Sequence, residues 1–307
     1  MGIKILLTGT SGFLGSHIAK HLVSFDFELI ALKRKDSDLS RCKSFKKKIT
    51  WINIDSNGVW KEKVIKLKPK YIIHSAWIGV DSVGRDDIIK QSKNISFLSD
   101  LLDISKSTNL IRFISLGSQA EYGVLNTKVS EDSEANPINL YGATKVASQQ
   151  ILKTFCELNK IDWVWLRLFS FIGENQDSNW LIPQLISKIK NKETIDMTMG
   201  HQKYSFIYVN DFASIIFKIL NSNIDSGIYN VSSEEPYSIR ELSNLISIKL
   251  EVSQKINWGA LPYRLNQSMH IEGEMNKLKK QIGDFKLVRL SHSLDRVISA
   301  NKKTYNI

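Results

Sequence analysis

A chain of 307 residues exceeds the usual size of one domain, so it holds either a single large α/β domain or a cofactor domain with a smaller second lobe. With 42% hydrophobic and 24% charged residues it lies in the ordinary globular range, and no apolar run nears the roughly 18 residues that span a bilayer. The net charge of +11 raises nucleic acid as a partner, yet eight basic residues against two acidic ones fall between Lys33 and Lys48, and no recognition motif accompanies them.

That basic stretch reads either as a solvated loop or as a phosphate-binding edge; neither nucleic acid nor membrane is an expected partner. Cys42 and Cys156 stand far apart without companions at metal spacing, which excludes a disulfide framework and a zinc site. Met1 leads into the short apolar run 3–7, without the basic start and longer core of a secretory signal, so a cytoplasmic address is expected.

In chain order, strand-like runs at 4–8, 28–32, 50–54, 71–75, 112–116 and 163–168 alternate with helix-length segments. The alternation predicts an α/β fold with a doubly wound, Rossmann-like parallel sheet. Tyr71-Ile72-Ile73-His74 lacks period-two patterning, as expected of a strand covered on both faces. Later segments predict a helix over 180–191, a strand over 227–231 and helices near 238–250 and 291–300. The expected organisation is a dinucleotide-binding domain over 1–170, with return segments near 206–232. Residues 171–307 then form most of a smaller, discontinuous C-terminal α/β substrate lobe.

The first strand ends in Thr8-Gly9-Thr10-Ser11-Gly12-Phe13-Leu14-Gly15, just before an amphipathic helix. In this strand–turn–helix setting Gly9 permits a tight turn, Gly12 lets the backbone reach a pyrophosphate, and Gly15 allows close helix–strand approach. His17 and His21 stand four apart on that helix, but Ile18 occupies the place of a zinc-hydrolase glutamate, so they read as ordinary helix residues and no metal is expected. The second strand ends Ala31-Leu32-Lys33-Arg34-Lys35, where an NAD enzyme usually carries an acid for the ribose hydroxyls. Lys33 and Arg34 would instead pair with a 2′-phosphate, which favours NADP. Asp55, after the third strand, is placed to meet the adenine.

Of nine tyrosines only Tyr141 has a lysine four residues on, in Asn139-Leu140-Tyr141-Gly142-Ala143-Thr144-Lys145. On a helix that spacing shares one face, and an adjacent ammonium favours the phenolate of a group whose ordinary pKa is near 10. Upstream, Ser118 follows a strand's C-terminal end, where ligands of open α/β sheets bind.

Gly9-x-x-Gly12-x-x-Gly15, Ser118, Tyr141-x-x-x-Lys145, Arg167-Leu168-Phe169 and Phe206-Ile207-Tyr208-Val209-Asn210-Asp211 together resemble the NAD-dependent epimerase/dehydratase branch of the extended short-chain dehydrogenases. The resemblance implies a nucleotide-sugar substrate held by the C-terminal lobe and catalysis by Ser118, Tyr141 and Lys145. It implies cofactor contacts from Gly9, Ser11, Gly12, Phe13, Leu14, Gly15, Lys33, Arg34, Asp55, Ser75, Ala76, Tyr141, Lys145 and Phe169. Substrate contacts are implied for Trp77, Ser118, Gln119, Asn179, Leu181 and Arg264, with residues 77–85 and 179–183 lining the sugar pocket. Asn94 occupies a polar helix position typical of the family. In Gly200-His201-Gln202-Lys203-Tyr204-Ser205, Tyr204 replaces an arginine that often contacts the diphosphate, which leaves that task to Arg264.

Beside Ser118 stand Gln119 and Ala120, where 4,6-dehydratases carry an acid pair and GDP-fucose synthases a cysteine. Neither residue can move a carbon-bound proton. Leu116-Gly117-Ser118-Gln119-Ala120-Glu121-Tyr122-Gly123 resembles bacterial 4-keto-6-deoxyhexose reductases of the CDP-abequose and dTDP-fucose types. The expected reaction is reduction of a C4 ketone by NADPH for deoxysugar and surface-polysaccharide synthesis, with Tyr141 donating the proton. The alternatives are a nucleotide-sugar 4-epimerase holding NAD and a non-catalytic dinucleotide sensor. A homodimer is expected through helices over 88–106 and 143–158, burying Ile95, Leu98, Leu102, Val146 and Ile151.

Overall fold

A computed structural model describes residues 2–304, with side chains described through residue 300. The chain runs β1 (Ile3–Thr8), α1 (Phe13–Leu22), β2 (Phe27–Lys33), β3 (Ile49–Asn53), α2 (Val59–Leu67), β4 (Tyr71–His74), α3 (Ile88–Lys106), β5 (Arg112–Leu116), α4 (Leu140–Asn159) and β6 (Asp162–Leu168). It continues through β7 (Ser170–Ile172), α5 (Leu181–Lys190), β8 (Thr194–Met197), β9 (Lys203–Tyr208), α6 (Val209–Leu220) and β10 (Gly227–Val231). The remainder is β11 (Pro236–Ser238), α7 (Ile239–Leu250), β12 (Lys255–Trp258), β13 (His270–Ile271), α8 (Asn276–Ile282) and α9 (Leu290–Thr304).

Seven strands form one parallel sheet in the order β10-β6-β5-β4-β1-β2-β3. The expected doubly wound sheet is therefore observed. Every residue of β4 and β5 is buried, because each face of the sheet meets its own layer. On one face Ile18 and Leu22 of α1, Phe212 and Ile216 of α6 and Leu278 of α8 pack against Ile5, Leu7 and Ile73. On the other, Val64 of α2, Leu98 and Leu102 of α3 and Leu152 of α4 pack against Leu6, Ile72 and Phe113. Strands covered on both sides have no solvent face to alternate toward.

Leu98 and Leu102 thus belong to the core and are not available to a partner subunit, contrary to expectation. Ile95 and Val146 are half-buried, and the large exposed apolar residues on α3 and α4 are Ile88, Ile89, Ile151 and Leu158.

Beyond Phe169 a third core gathers α5, α7 and α9 around Ile186, Leu242 and Leu294. A small sheet of β11, β9 and β13, with β7 on β9, joins it, as does the pair β8–β12. The sequence reading missed these strands because most hold only two to four residues and several have no continuous buried face. Between them the chain returns to the large sheet: α6 packs beside α1, and β10 adds an edge strand to β6. No helix among the described residues is long and apolar enough to cross a membrane, and no cluster of three metal-ligating side chains occurs among them.

Candidate active site

The strand order reverses direction between β1 and β4, so loops leaving the C-terminal ends of those strands diverge and leave a crevice. The glycine turn lines it. Gly9 has φ +70°, and a Cβ there would come within 2.7 Å of the Ala76 amide nitrogen. A Cβ at Gly15 would lie 2.1 Å from the Gly9 carbonyl oxygen, and the Gly12 amide donates to that same oxygen at 2.9 Å. The turn therefore closes against Ser75 and Ala76 only with glycine at both ends. It delivers the N-terminus of α1, which has no acidic residue in its first turn and no side-chain cap at Gly12, with Ser11, Phe13 and Leu14 around it. Backbone amides facing an open crevice at the positive end of a helix dipole fit a dinucleotide pyrophosphate.

Thr8 ties this loop to the next strand. Its Oγ1 pairs with His74 Nδ1 at 2.9 Å and accepts from the Ala76 amide at 3.1 Å. Burial drives the His74 pKa down to about 3, so the ring is neutral. At the far side of the crevice, Lys33 ends β2 beside Asn53 of β3, and the Ile54 amide donates to the Lys33 carbonyl at 2.9 Å. Arg34 and Asp55 are thereby brought to adjoining strand ends. Asp55 also accepts from the Val59 amide at 3.0 Å, and Arg34 lies 3.9 Å from Asp36 in an exposed pair.

Ser118, Tyr141 and Lys145 converge past β5. Asn139 caps α4 by accepting from the Gly142 amide at 2.8 Å. A Cβ at Gly142 would lie 2.5 Å from the Ala120 carbonyl oxygen, so the absence of a side chain lets α4 press onto the turn that follows Ser118. Tyr141 is 8% and Lys145 3% exposed, and the Ser118 hydroxyl lies near enough to the Tyr141 phenol to favour its ionised form. Lys145 Nζ donates to the Leu116 carbonyl at 2.6 Å and stands 3.4 Å from the centre of the Trp77 ring. The Trp77 edge meets the Tyr141 ring at 6.3 Å and 89°. Burial pulls the Lys145 pKa well below its ordinary value, opposed by the charge of Glu121.

Burial also raises the Tyr141 pKa, while the Ser118 hydroxyl and the Arg85 guanidinium lower it. The sequence reading gave the charge that favours the phenolate to Lys145; its ammonium stands 5.8 Å from the phenol ring centre, and Arg85 joins it at 5.4 Å.

The turn after Ser118 holds Gln119, half-buried, and Ala120, buried. Its carboxylate, Glu121, is fully buried: it accepts from the Ser118 amide at 2.8 Å, from Trp165 Nε1 at 2.9 Å and from Arg167 Nε at 2.7 Å. Sequence reading passed over this residue, since Glu121 and Arg167 are 46 positions apart and only the strand order brings them together. Asn94 holds the loop after β4, exchanging two bonds of 3.0 Å with the Ile78 backbone. Phe169 packs with Tyr122, Leu125 and Ile271, while Asn179 and Arg264 are exposed on the second lobe and Leu181 is half-buried at the start of α5. Arg264 lies near enough to Tyr204 for its charge to lower that phenol's pKa, against the upward push of burial.

Residues 5–232 match the model of the NAD dependent epimerase/dehydratase family. The chain belongs to that family. It is 29% identical over 278 residues to a CDP-abequose synthase of Salmonella muenchen, the match covering 87% of each chain. Its fold superposes on a UDP-glucose 4-epimerase of Thermotoga maritima with a TM-score of 0.89 and 20% identity, covering 98% of this chain and 99% of the other. With a UDP-glucuronic acid 4-epimerase of Bacillus cereus, solved with UDP-glucuronic acid and NAD, the TM-score is 0.87 at 22% identity over 99% of this chain and all of the other. Family membership makes the chain a nucleotide-sugar-modifying enzyme of the epimerase, dehydratase and reductase kind.

Proposed function

We propose that the protein reduces the C4 ketone of a nucleotide-activated 4-keto-6-deoxysugar, with NADPH as the reductant. The observation that carries this reading is the turn after Ser118. Its one carboxylate, Glu121, is sequestered by Arg167 and Trp165, and its other side chains, Gln119 and Ala120, cannot abstract or deliver a carbon-bound proton. A site so built supports hydride exchange at one carbon together with proton exchange at its oxygen.

The bound nicotinamide would supply the hydride. Ser118 orients the ketone oxygen by hydrogen bonding, and the buried Tyr141 delivers the proton to it. Lys145, fixed on the Leu116 carbonyl with its ammonium against the Trp77 ring, would hold the nicotinamide ribose. Gly9, Ser11, Gly12, Phe13, Leu14 and Gly15 would hold the pyrophosphate, with Ser75, Ala76, Phe169 and Asp55 also contributing to the cofactor site. Lys33 and Arg34 would receive a 2′-phosphate. On the sugar side Trp77, Gln119, Asn179 and Leu181 line the pocket, and Arg264 takes the diphosphate.

A second reading, a nucleotide-sugar 4-epimerase keeping a resident NAD, draws support from the epimerases that share the fold and from Asp36, which competes for Arg34. Two exposed apolar pairs, Ile88 with Ile89 and Ile151 with Leu158, support a homodimer through α3 and α4. The direct test is a panel of CDP-, dTDP-, GDP- and UDP-4-keto-6-deoxyhexoses incubated with NADPH. One NADPH should be consumed per sugar with at least one member, and turnover with none of them contradicts the proposal.

A further inference from the structure

The loop between β4 and α3 is built to hold one cation against Tyr141. From α3, Gln91 Nε2 donates to the carbonyls of Gly79 at 2.9 Å and Gly84 at 3.1 Å, while its Oε1 accepts from Trp77 Nε1 at 3.1 Å. Asn94 clamps Ile78 through both backbone groups. Asp81 Oδ1 folds the tip by accepting from the amides of Val83 at 3.0 Å and Gly84 at 2.8 Å. Both side-chain amides from α3 are buried, so the base of the loop is fastened by bonds at least partly shielded from solvent.

What this frame carries is Arg85. Its Nε donates to the Val80 carbonyl at 3.0 Å, which fixes the guanidinium 5.4 Å from the Tyr141 ring centre. Four other titratable side chains stand around this corner of the site. Lys145, one turn along α4, has its ammonium on the Leu116 carbonyl and over Trp77, 5.8 Å from the Tyr141 ring. Glu121, across the turn from α4, opposes the phenolate, but Arg167 sits on it at 2.7 Å. Asp86 is exposed and spends its carboxylate on the Leu140 amide at 2.9 Å. His74, beneath Lys145, is neutral.

We propose that Arg85 is a positioning residue for Tyr141: a permanent cation, set on the ring by the 76–87 loop, that stabilises the phenolate formed when the phenol gives up its proton. A guanidinium does not deprotonate in the working range, whereas a buried ammonium does, so Arg85 supplies the steady charge and Lys145 the variable one. A cation over an aromatic face is attracted to the ring itself, and more strongly when that ring carries a negative charge. The inference rests on Tyr141 being the proton donor.

The test uses protein labelled with 3-fluorotyrosine, whose lowered phenol pKa brings the titration into the folded range, saturated with NADP+. The Tyr141 resonance is identified in the fluorine NMR spectrum by its loss in Tyr141→Phe, and its shift is followed against pH. Arg85→Gln should raise the ionisation midpoint by about one pH unit, and Arg85→Lys should recover at least half of that rise. If the Gln variant does not fold, Arg85→Met keeps the aliphatic stem and reads the same loss of charge. An unchanged midpoint in the neutral variant overturns the proposal. Should Tyr141→Phe retain full turnover, the proton-donor reading falls instead, and the NMR midpoint still reports whether Arg85 acts on the phenol.

Discussion

The two ends of the crevice are built by different means. At the sheet, Thr8, His74, Ser118, Glu121, Tyr141 and Lys145 are buried, and hydrogen bonds tie Thr8 to His74, Glu121 to Ser118 and Lys145 to Leu116. In the second lobe the candidate substrate residues Asn179 and Arg264 are exposed, on loops between short elements. The contrast teaches that redox chemistry is set here by backbone geometry, which tolerates little change. On the proposed reading, sugar and nucleotide choice rests on side chains that can be replaced without disturbing a core, as loop-borne specificity generally is.

The largest expected effect lies in the buried half. Glu121→Gln leaves the Arg167 guanidinium, itself buried, without its counter-charge and should cost about 3–5 kcal/mol of stability in urea unfolding. A loss below about 1 kcal/mol would mean that this half is no more tightly determined than the other. Next comes Tyr141→Phe, which removes the proton donor while keeping the ring against Trp77. Turnover should fall on the order of 10²-fold or more with cofactor affinity nearly intact, measured as kcat beside a cofactor titration. The smallest effect belongs to charge at the edge of the fold: neutralising half-buried Lys33 and exposed Arg34 together should erase about a tenfold preference for NADPH over NADH in binding titrations, with little change in unfolding midpoint. Equal affinity of the unaltered protein for both cofactors contradicts that assignment.

The same division governed what could be read from sequence. Apolar runs for β1, β4, β5 and β6 and the Gly9–Gly15 turn carry their meaning locally, so the doubly wound sheet and the cofactor crevice were legible. Tyr141 and Lys145 were legible because helical spacing alone puts them on one face. The Glu121–Arg167 pair and the grip of Gln91 on residues 77–84 were not, since both depend on strand order and loop closure across distant positions. Leu98 and Leu102 misled in the opposite sense. A long helix with apolar residues on two faces does not announce which face meets its own sheet, and here the core claims them. The short strands β7, β8 and β11 to β13 have too few residues to show any period.

The central claim, that the site moves a hydride to C4 and a proton to its oxygen but no carbon-bound proton, is tested most directly by running the reaction in deuterated water. A CDP- or dTDP-4-keto-6-deoxyhexose that is turned over should consume one NADPH, and the NMR spectrum should show a single C4 alcohol with no deuterium at C3 or C5. Deuterium at C5 would demand a carbon acid/base that the Ser118 turn does not offer, and sugar interconversion without net cofactor consumption would establish the epimerase instead.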